Sequence, residues 1–268
     1  MRSILTCSIL AAMLATTSAR ADDGLRTAIA APDRNPASVA RDGARHPYEV
    51  LSFLGVKPDS SVAEIFPLTG YWTEILAPYL HDKGSYVAVM GDPAGNDNER
   101  YYATFPPALQ AKFAGAPARY GNIRTAALGE HRLDFLPPNS VGMVLTFRNL
   151  HTWMGDSDVK PVLAAFHRVL KPGGILGIDD HRARPDRKQD PQALDGYVRE
   201  DYAIALIEQA GFKLVAESQV EQNPRDTTHW PQGVWTLPPT YRLGAVDHAK
   251  YQAIGEADNF LLKFRKVP

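Results

Sequence analysis

The sequence has very little cysteine: one residue, Cys7, in 268. Cys7 lies in a leader-like N-terminal stretch, so the chain beyond that stretch can have no disulfide, thiolate nucleophile or cysteine-ligated metal. After residue 21 there is no apolar run long enough to span a bilayer and no run of five basic residues. With a formal net charge of −1, we expect no nucleic-acid partner and no membrane partner for the mature chain.

The first 21 residues have the three parts of a signal peptide. Met1 and Arg2 are a short basic region, residues 4–15 are apolar, and residues 19–21 are an A-x-A cleavage pattern. We predict cleavage after Ala21 and a periplasmic or secreted protein, with an uncleaved anchor as the alternative. Residues 22–46 are rich in Ala, Arg, Asp and Pro. They predict a loose N-terminal arm with a helical turn or two.

Residues 47–268 are expected to form one α/β domain, because short apolar runs alternate with helical patterns. The predicted strands are 61–65, 86–89, 123–127, 143–146, 175–178, 213–217 and 260–265. The predicted helices are 48–54, 71–80, 97–113 with a break near Pro106, 159–170 and 199–210. Residues 223–258 form a long connection that predicts either a lid over the site or a cluster packed under the loop. Its candidate side chains are His229, Trp230, Trp235 and Tyr241.

Four segments, in order, carry a resemblance to a known family. They are V-A-E-I-F-P-L-T-G-Y-W-T-E-I-L-A (62–77), D-F-L-P-P-N-S-V-G-M-V-L-T-F-R-N-L-H (134–151), F-H-R-V-L-K-P-G-G-I-L-G-I-D-D-H (166–181) and A-G-F-K-L-V (210–215). Together they resemble the class I S-adenosylmethionine (SAM)-dependent methyltransferases, and more narrowly an exported bacterial group of them. The resemblance implies a Rossmann-like seven-stranded sheet with helices on both faces. The sheet would be mostly parallel, with its last strand antiparallel. SAM would be the cofactor and a small molecule the substrate.

The resemblance also implies where SAM would bind, and the sequence departs from the pattern there. The implied contacts are Glu64, Phe66, Thr69, Gly70, Tyr71 and Asp92. Aligning Glu64 with the acidic residue of the glycine loop puts Phe66 and Leu68 on its first two glycines. The ribose-binding acid falls near Met90, with Asp92 two residues further on. One hypothesis is SAM binding with altered contacts. The alternative is a non-catalytic ligand-binding or scaffold protein on the same fold.

The residues after the predicted fourth strand are the candidates for chemistry, since the resemblance implies that they face the transferred methyl group. His151 is a candidate general base, or else a structural histidine. Asn149 is a candidate for orienting the substrate, and Arg148 for pairing with a carboxylate or phosphate. Asp179 and Asp180 resemble paired metal-binding carboxylates. Arg148 would oppose a divalent cation, so we predict no metal.

Overall fold

The computed structural model describes residues 20–267, so the predicted signal peptide lies outside the described residues except for its last two positions. The helices are α1 (Arg20–Ile29), α2 (Pro36–Val39), α3 (Asp42–Arg45), α4 (Pro47–Leu54), α5 (Thr73–Leu80), α6 (Asp97–Tyr101), α7 (Pro107–Gly115), α8 (Pro117–Tyr120), α9 (Leu150–Gly155), α10 (Val159–Val169), α11 (Glu200–Gln209) and α12 (His248–Ile254). The strands are β1 (Ser61–Ile65), β2 (Ser85–Gly91), β3 (Arg124–Leu128), β4 (Val141–Phe147), β5 (Leu170–His181), β6 (Phe212–Ser218), β7 (Pro231–Val234) and β8 (Asn259–Lys266). Within this part of the chain, no helix has the length and apolar character needed to cross a membrane.

The sheet has seven strands in the order β3-β2-β1-β4-β5-β8-β6. The pairs β3-β2, β2-β1, β1-β4 and β4-β5 are parallel. Strand β8 is inserted between β5 and β6 and runs antiparallel to both. The prediction of a mostly parallel seven-stranded sheet with an antiparallel last strand is therefore confirmed. Strand β7 lies outside the sheet.

Both faces of the sheet are buried, as the nearly continuous apolar runs of its central strands predict. On β1, Val62 contributes to one core cluster, whereas Ala63 and Ile65 contribute to the other. The first cluster includes residues of α1, α4 and α5, and the second includes residues of α9, α10 and α11. The helices therefore form a layer on each face, and the carboxyl ends of the parallel strands are left as the open edge.

The crevice between β1 and β4 is the topological switch point of this sheet. After β1 the chain adds β2 and β3 outward on one side, and it then returns to place β4 on the other side of β1. The two connections leave neighbouring strand ends in opposite directions, and open α/β sheets bind ligands at such a point. This geometry brings the loop after β1 next to the loop after β4.

The N-terminal arm is packed against the domain and is not loose as predicted. Leu25 and Ala28 of α1 are buried and join the core cluster that contains α5. They lie three residues apart on one helical face, and that spacing places both against the domain. Arg34 forms a bidentate ion pair with Asp42, at 2.6 and 2.8 Å, and fixes the path of the arm before α3. The arm thereby reaches the open edge of the sheet.

The long connection 223–258 is an ordered wall with its own small core. It contains β7 and α12, and Val234, Leu237 and Tyr251 are buried in a separate cluster. Trp230 and Tyr241 pack on this cluster, whereas His229 is exposed. Pro239, which follows a cis peptide bond, extends to the open edge of the sheet. Most of this segment is therefore a packed cluster whose margin lines the site, and closure as a lid stays a prediction.

Candidate functional site

A cavity of about 450 Å³ opens at the crevice between β1 and β4. A second lobe of about 160 Å³ shares Arg41, Arg45, Tyr102, Arg148, Pro239 and Thr240 with it. The first lobe is lined by residues 64–69 of the β1 loop, and the second by His151, His181 and Trp235. A volume of this size is typical of small-ligand pockets.

The loop after β1 keeps the backbone of a glycine-rich turn although two of its glycines are absent. Phe66, Leu68 and Gly70 have φ values of 51°, 34° and 71°, all in the left-handed region. Such values favour glycine, and each costs a residue with a side chain roughly 1–2 kcal/mol. The alternation of positive φ at these three positions supports the alignment of Phe66 and Leu68 with the first two glycines. The loop therefore has the backbone of that turn, with strain at Phe66 and Leu68.

Phe66 fills the space that a glycine would leave open. Its ring stacks on Tyr102, with centroids 4.9 Å apart, and contacts Trp153 at 5.8 Å. The carbonyl of Tyr102 accepts a hydrogen bond from the amide of Gly91, at the end of β2. The two rings therefore close the side of the cavity that faces the second strand.

Asp92 does not line the cavity, contrary to the prediction of a ribose-binding carboxylate. It directly follows β2 and is buried, but its Oδ1 accepts from the amide of Ala94 at 3.1 Å. Its Oδ2 lies 3.4 Å from Nε of Arg132. Met90 is in the core of the sheet. The carboxylate turns away because it caps its own turn and pairs with Arg132, which the sequence spacing could not show.

Glu64 lines the cavity at the end of β1, as predicted. Its Oε2 accepts hydrogen bonds from the hydroxyl groups of Tyr86, at 2.6 Å, and Thr73, at 3.1 Å. Burial raises the pKa of Glu64 to about 7, although the two hydroxyl groups oppose the rise. A carboxyl group with this pKa is divided between its charged and neutral forms near neutral pH.

The remaining loop residues take three different positions. Thr69 is exposed at the rim of the cavity. Gly70 is packed so closely on Leu109 that a Cβ at this position would collide with it. Tyr71 lines the cavity, and its hydroxyl group donates to Asp42 of α3 at 2.7 Å. Tyr71 therefore links the loop after β1 to the N-terminal arm.

Asn149 joins the two strands that form the crevice. Its side-chain amide donates to the carbonyl of Ile65, at 3.2 Å, and to Oγ1 of Thr146, at 3.0 Å. The side chain is buried and lines the first lobe. Because both amide hydrogens are used to fix the ends of β1 and β4, Asn149 holds the crevice in shape. The predicted orientation of a substrate by this residue stays a prediction.

Arg148 lies between the two lobes with a positive φ of 63°. Its Nη2 donates to Oε1 of Glu221 at 3.0 Å and lies 3.6 Å from Asp179. Its Nη1 lies 3.7 Å from Glu256 and has no hydrogen-bond partner among the described residues. These carboxylates raise the pKa of Arg148 although burial opposes them, so the guanidinium stays charged.

His151 and Asp180 form a buried pair at the ends of β4 and β5. Asp180 accepts from the backbone amide of His151 through Oδ2, at 2.9 Å, and its Oδ1 lies 2.8 Å from Nδ1 of the ring. Burial alone would raise the pKa of Asp180, but the charge and hydrogen bonds of His151 hold it below its usual range. In the neutral ring, an ionised Asp180 accepts a hydrogen bond from Nδ1–H, and Nε2 is then the acceptor nitrogen.

A second histidine, His181, lies beside this pair with its ring centroid 5.2 Å from that of His151. Burial lowers the pKa of His181 to about 3, so this ring is neutral. One ligand atom each from His151, Asp180 and His181 lie within 4.8 Å of one another, close enough for a metal ion. However, Asp180 already accepts three hydrogen bonds, from two N–H groups of His151 and the amide of His181. This pattern is typical of an orienting carboxylate.

The structure brings most of the predicted residues together and adds others that the sequence did not indicate. Glu64, Phe66, Thr69, Tyr71, Arg148, Asn149 and His151 line the two lobes; Gly70 shapes the loop beneath them, and Asp92 is outside. The additions are Arg41, Arg45, Tyr102 and Glu256, whereas Trp235 was a candidate from the 223–258 segment. The four-residue spacing of Arg41 and Arg45 was a signal that both face one way.

Comparisons with known proteins agree with this fold. Residues 105–178 match the model of the methyltransferase domain family. No curated protein matches. A SAM-dependent methyltransferase from Aquifex aeolicus is similar in structure, with a TM-score of 0.55 and 17% identity over 92% of this chain and 98% of that one. The [4+2]-cyclase SpnF has a TM-score of 0.52 and 16% identity over 84% and 80%. An arsenic(III) SAM methyltransferase from Chlamydomonas reinhardtii has 0.51 and 18% over 91% and 74%.

The chain has the class I SAM-dependent methyltransferase fold, and residues 105–178 are similar to part of the methyltransferase domain. The fold that the four motifs imply is thereby confirmed. The narrower resemblance to an exported bacterial group stays a prediction.

Proposed function

We propose that this protein is a SAM-dependent methyltransferase acting on a small molecule. The observation that carries the proposal is the cavity at the β1–β4 crevice, which has the strained β1 loop on one side and the His151–Asp180 pair at the other end. In this superfamily the cofactor binds at the end of β1. An acceptor in the second lobe would then lie beside the cofactor, since the two lobes share six lining residues.

The residues present fit the methionine part of SAM. Glu64 is a buried carboxyl group on the cavity wall and suits an ammonium group. The backbone of residues 66–70 keeps the turn that brings peptide groups close to a ligand. For the nucleoside part, the stacked rings of Phe66 and Tyr102 must separate before Asp92 can be reached. SAM supplies an electrophilic methyl group on a sulfonium.

The protein's own groups would orient the acceptor and remove its proton. If the acceptor carries an O–H or N–H group, that proton passes to Nε2 of His151 as the bond to the methyl carbon forms. Asp180 stabilises the imidazolium that results, since its carboxylate stays ionised and bonded to Nδ1. The walls of the second lobe hold the acceptor next to this nitrogen.

Calorimetry on residues 22–268 tests the cofactor assignment. We expect SAM and S-adenosylhomocysteine to bind with micromolar affinity, and Glu64→Ala to weaken both by about tenfold or more, since a charged hydrogen bond is lost. The matched control is Glu49→Ala, an exposed carboxylate on α4. A folded protein that binds neither compound at millimolar concentration would overturn the proposal.

A second candidate is a non-catalytic binding protein on the same fold. The observation that favours it is the Phe66–Tyr102 stack together with the outward orientation of Asp92. The similarity in fold to a cyclase, SpnF, fits the general rule that a fold does not fix an activity. Failure of both SAM and S-adenosylhomocysteine to bind, with the cavity still taking another ligand, is the result that this candidate requires.

We further propose that the protein acts outside the cytoplasm. The support is the three-part N-terminal pattern of residues 1–21. Expression of the full chain in a Gram-negative host, followed by N-terminal sequencing of the periplasmic fraction, is expected to give Asp22 as the first residue. An intact Met1 on a cytoplasmic product would contradict this proposal.

A further inference from the structure

Three arginine residues line both lobes of the cavity. Arg41 and Arg45 come from the beginning and end of α3 in the N-terminal arm, and Arg148 follows β4. They approach the cavity from two separate elements, so their convergence depends on the packing of the arm against the sheet. Arginine side chains that served only solubility would be exposed to solvent, so the burial of these groups indicates another role.

The ion pairs of these arginines leave several guanidinium nitrogens unused. Glu256 accepts from Arg41 through Nε and Nη2, at 2.6 and 2.8 Å. It accepts from Arg45 through Nε alone, at 3.4 Å. Arg148 donates to Glu221 through Nη2, while its Nη1 has no hydrogen-bond partner among the described residues. One carboxylate, Glu256, is thus shared by all three guanidinium groups.

The three guanidinium groups face three carboxylates, those of Glu256, Glu221 and Asp179. Burial would raise the pKa of Glu256, but the arginines hold it at about 2, so this group is ionised. Burial raises the pKa of Glu221 well above its usual range and that of Asp179 to about 6. Burial, together with the neighbouring charge of Arg148, lowers the pKa of Arg45 to about 9. Glu256 is therefore the ionised partner that the three cations share, and Nη1 of Arg148 has no hydrogen-bond partner among the described residues.

We propose that Arg41, Arg45 and Arg148 form an anion subsite that binds a carboxylate or phosphate group of the methyl acceptor. This assignment rests on the proposed function for its choice of the acceptor as the ligand. Guanidinium groups bind planar and tetrahedral oxyanions through paired N–H groups, which Nη atoms left over from the ion pairs can supply.

The walls near the subsite indicate the rest of the acceptor. Trp235 and Tyr102 line the second lobe beside His151. Aromatic walls favour a flat apolar body. The acceptor is then a small, flat organic acid with a hydroxyl or amino group that can approach His151.

The carboxylate of SAM itself is the other source of an anion, and the two sources can be separated. S-adenosylhomocysteine carries the amino-acid carboxylate, whereas 5′-methylthioadenosine lacks it. If the arginines serve the cofactor, Arg45→Gln weakens binding of the first compound and leaves the second unchanged. If they serve the acceptor, Arg45→Gln changes the affinity of neither compound by more than about threefold, which is within the effect of one screened charge.

The main test compares two probes of the same shape, 4-hydroxybenzoate and 4-hydroxybenzamide, by calorimetry on residues 22–268. Phenyl phosphate is the second anionic probe. We expect the acid to bind about tenfold or more tightly than the amide, from charge-assisted bonds. Arg45→Gln is expected to abolish that preference. The control Arg184→Gln, an exposed arginine paired with Asp186 and not on either lobe, is expected to keep it.

The comparison of acid with amide needs no variant, so a folding defect in Arg45→Gln leaves the test intact. Equal binding of the two probes would overturn the anion subsite. Loss of S-adenosylhomocysteine binding alone in Arg45→Gln would also overturn it as an acceptor site. A protein that prefers the acid but never binds S-adenosylhomocysteine would overturn the proposed function and leave the subsite standing.

Discussion

The ring of Phe66 lies parallel to that of Tyr102, with 4.9 Å between their centroids and 10° between their planes. Phe66 occupies a position where the methyltransferase pattern has glycine, and the backbone of Tyr102 is bonded to the end of β2. The stack therefore closes the cavity on the side of Asp92. Its opening decides whether the nucleoside of SAM can reach that carboxylate.

Tyr102→Ala is expected to strengthen the binding of S-adenosylhomocysteine. An aromatic pair contributes about 0.5–1.5 kcal/mol beyond its buried area, and this contribution has to be given up when the stack opens. Removing the ring in advance should improve affinity by about threefold to tenfold, measured by calorimetry. Tyr202→Ala on α11, an exposed tyrosine away from the cavity, is the control and should change nothing.

Binding of S-adenosylhomocysteine to Asp92→Asn, measured by the same calorimetry, is a second test of the stack. In the unsubstituted protein we expect little change, since Asp92 bonds its own turn and Arg132. In the Tyr102→Ala background we expect a clear loss of affinity, which is the coupling of two residues that share a ligand. A large effect of Asp92→Asn alone would mean that the stack does not close this side of the cavity.

Apolar periodicity and turn residues were sufficient to predict the alternation of strands and helices, because they act locally, whereas the antiparallel last strand was implied by the resemblance. The β1 prediction, 61–65, coincides with the observed strand, and the break near Pro106 falls between α6 and α7. The sequence was not sufficient to predict which way the Asp92 side chain points. A carboxylate that directly follows a strand can face the crevice or its own turn, and here its contacts with Ala94 and Arg132 decide.

The anion subsite was missed for a different reason. Residues 22–46 have a polar composition, which predicts weak packing, yet Leu25 and Ala28 of α1 are buried against the domain. Once α1 is seated, Arg41 and Arg45 are carried to the cavity. Their partner Glu256 is more than two hundred residues away in the chain. Contacts at such separation leave no local pattern in a single sequence.

Leu68→Gly is expected to make the protein more stable than Leu68→Ala. Glycine normally costs about 0.5–1 kcal/mol relative to alanine in regular structure, but Leu68 has a φ of 34°, where alanine is strained. Both variants lose the same side-chain contacts, so their difference isolates the backbone. We expect about 1 kcal/mol in favour of glycine in urea-induced unfolding. Equal stability, or a more stable alanine variant, would show that the turn is relaxed in solution.

Glu64→Gln is expected to stabilise the protein more as the pH rises. The pKa of Glu64 is about 7 in the folded protein, above its ordinary value of 4.5. Because the pKa is higher in the folded protein than in the unfolded chain, the carboxyl group makes its full contribution to stability at pH values below its ordinary pKa. That contribution is lost as the pH rises through 7. Glutamine keeps the hydrogen-bonding shape without that loss.

The free energy of unfolding of both proteins, measured from about pH 5 to 8.5, checks this sign. The advantage of Glu64→Gln should grow over that range by about 1–3 kcal/mol. Glu49→Gln, at an exposed carboxylate of α4, should show no such trend. An advantage that shrinks with pH would mean that the Glu64 carboxylate is stabilised by an unseen cation and is not destabilised by burial.

His151→Gln is expected to lower kcat by about 10²- to 10⁴-fold, the usual contribution of a general base, with a smaller change in KM. The reason is geometric: Asp180 bonds both the backbone amide and Nδ1 of His151, and this leaves Nε2 to receive the acceptor's proton. Asp180→Asn should therefore lower kcat as well, because an amide no longer selects the Nδ1–H tautomer.

Nitrogen NMR of the His151 ring reports that tautomer directly and should show a mixture of tautomers in Asp180→Asn. His229→Gln, at an exposed ring outside both lobes, is the control for the loss of a histidine. If kcat survives His151→Gln while the tautomer in the unsubstituted protein is as assigned, the pair holds the ends of β4 and β5 together, and the acceptor reaches the methyl group already deprotonated.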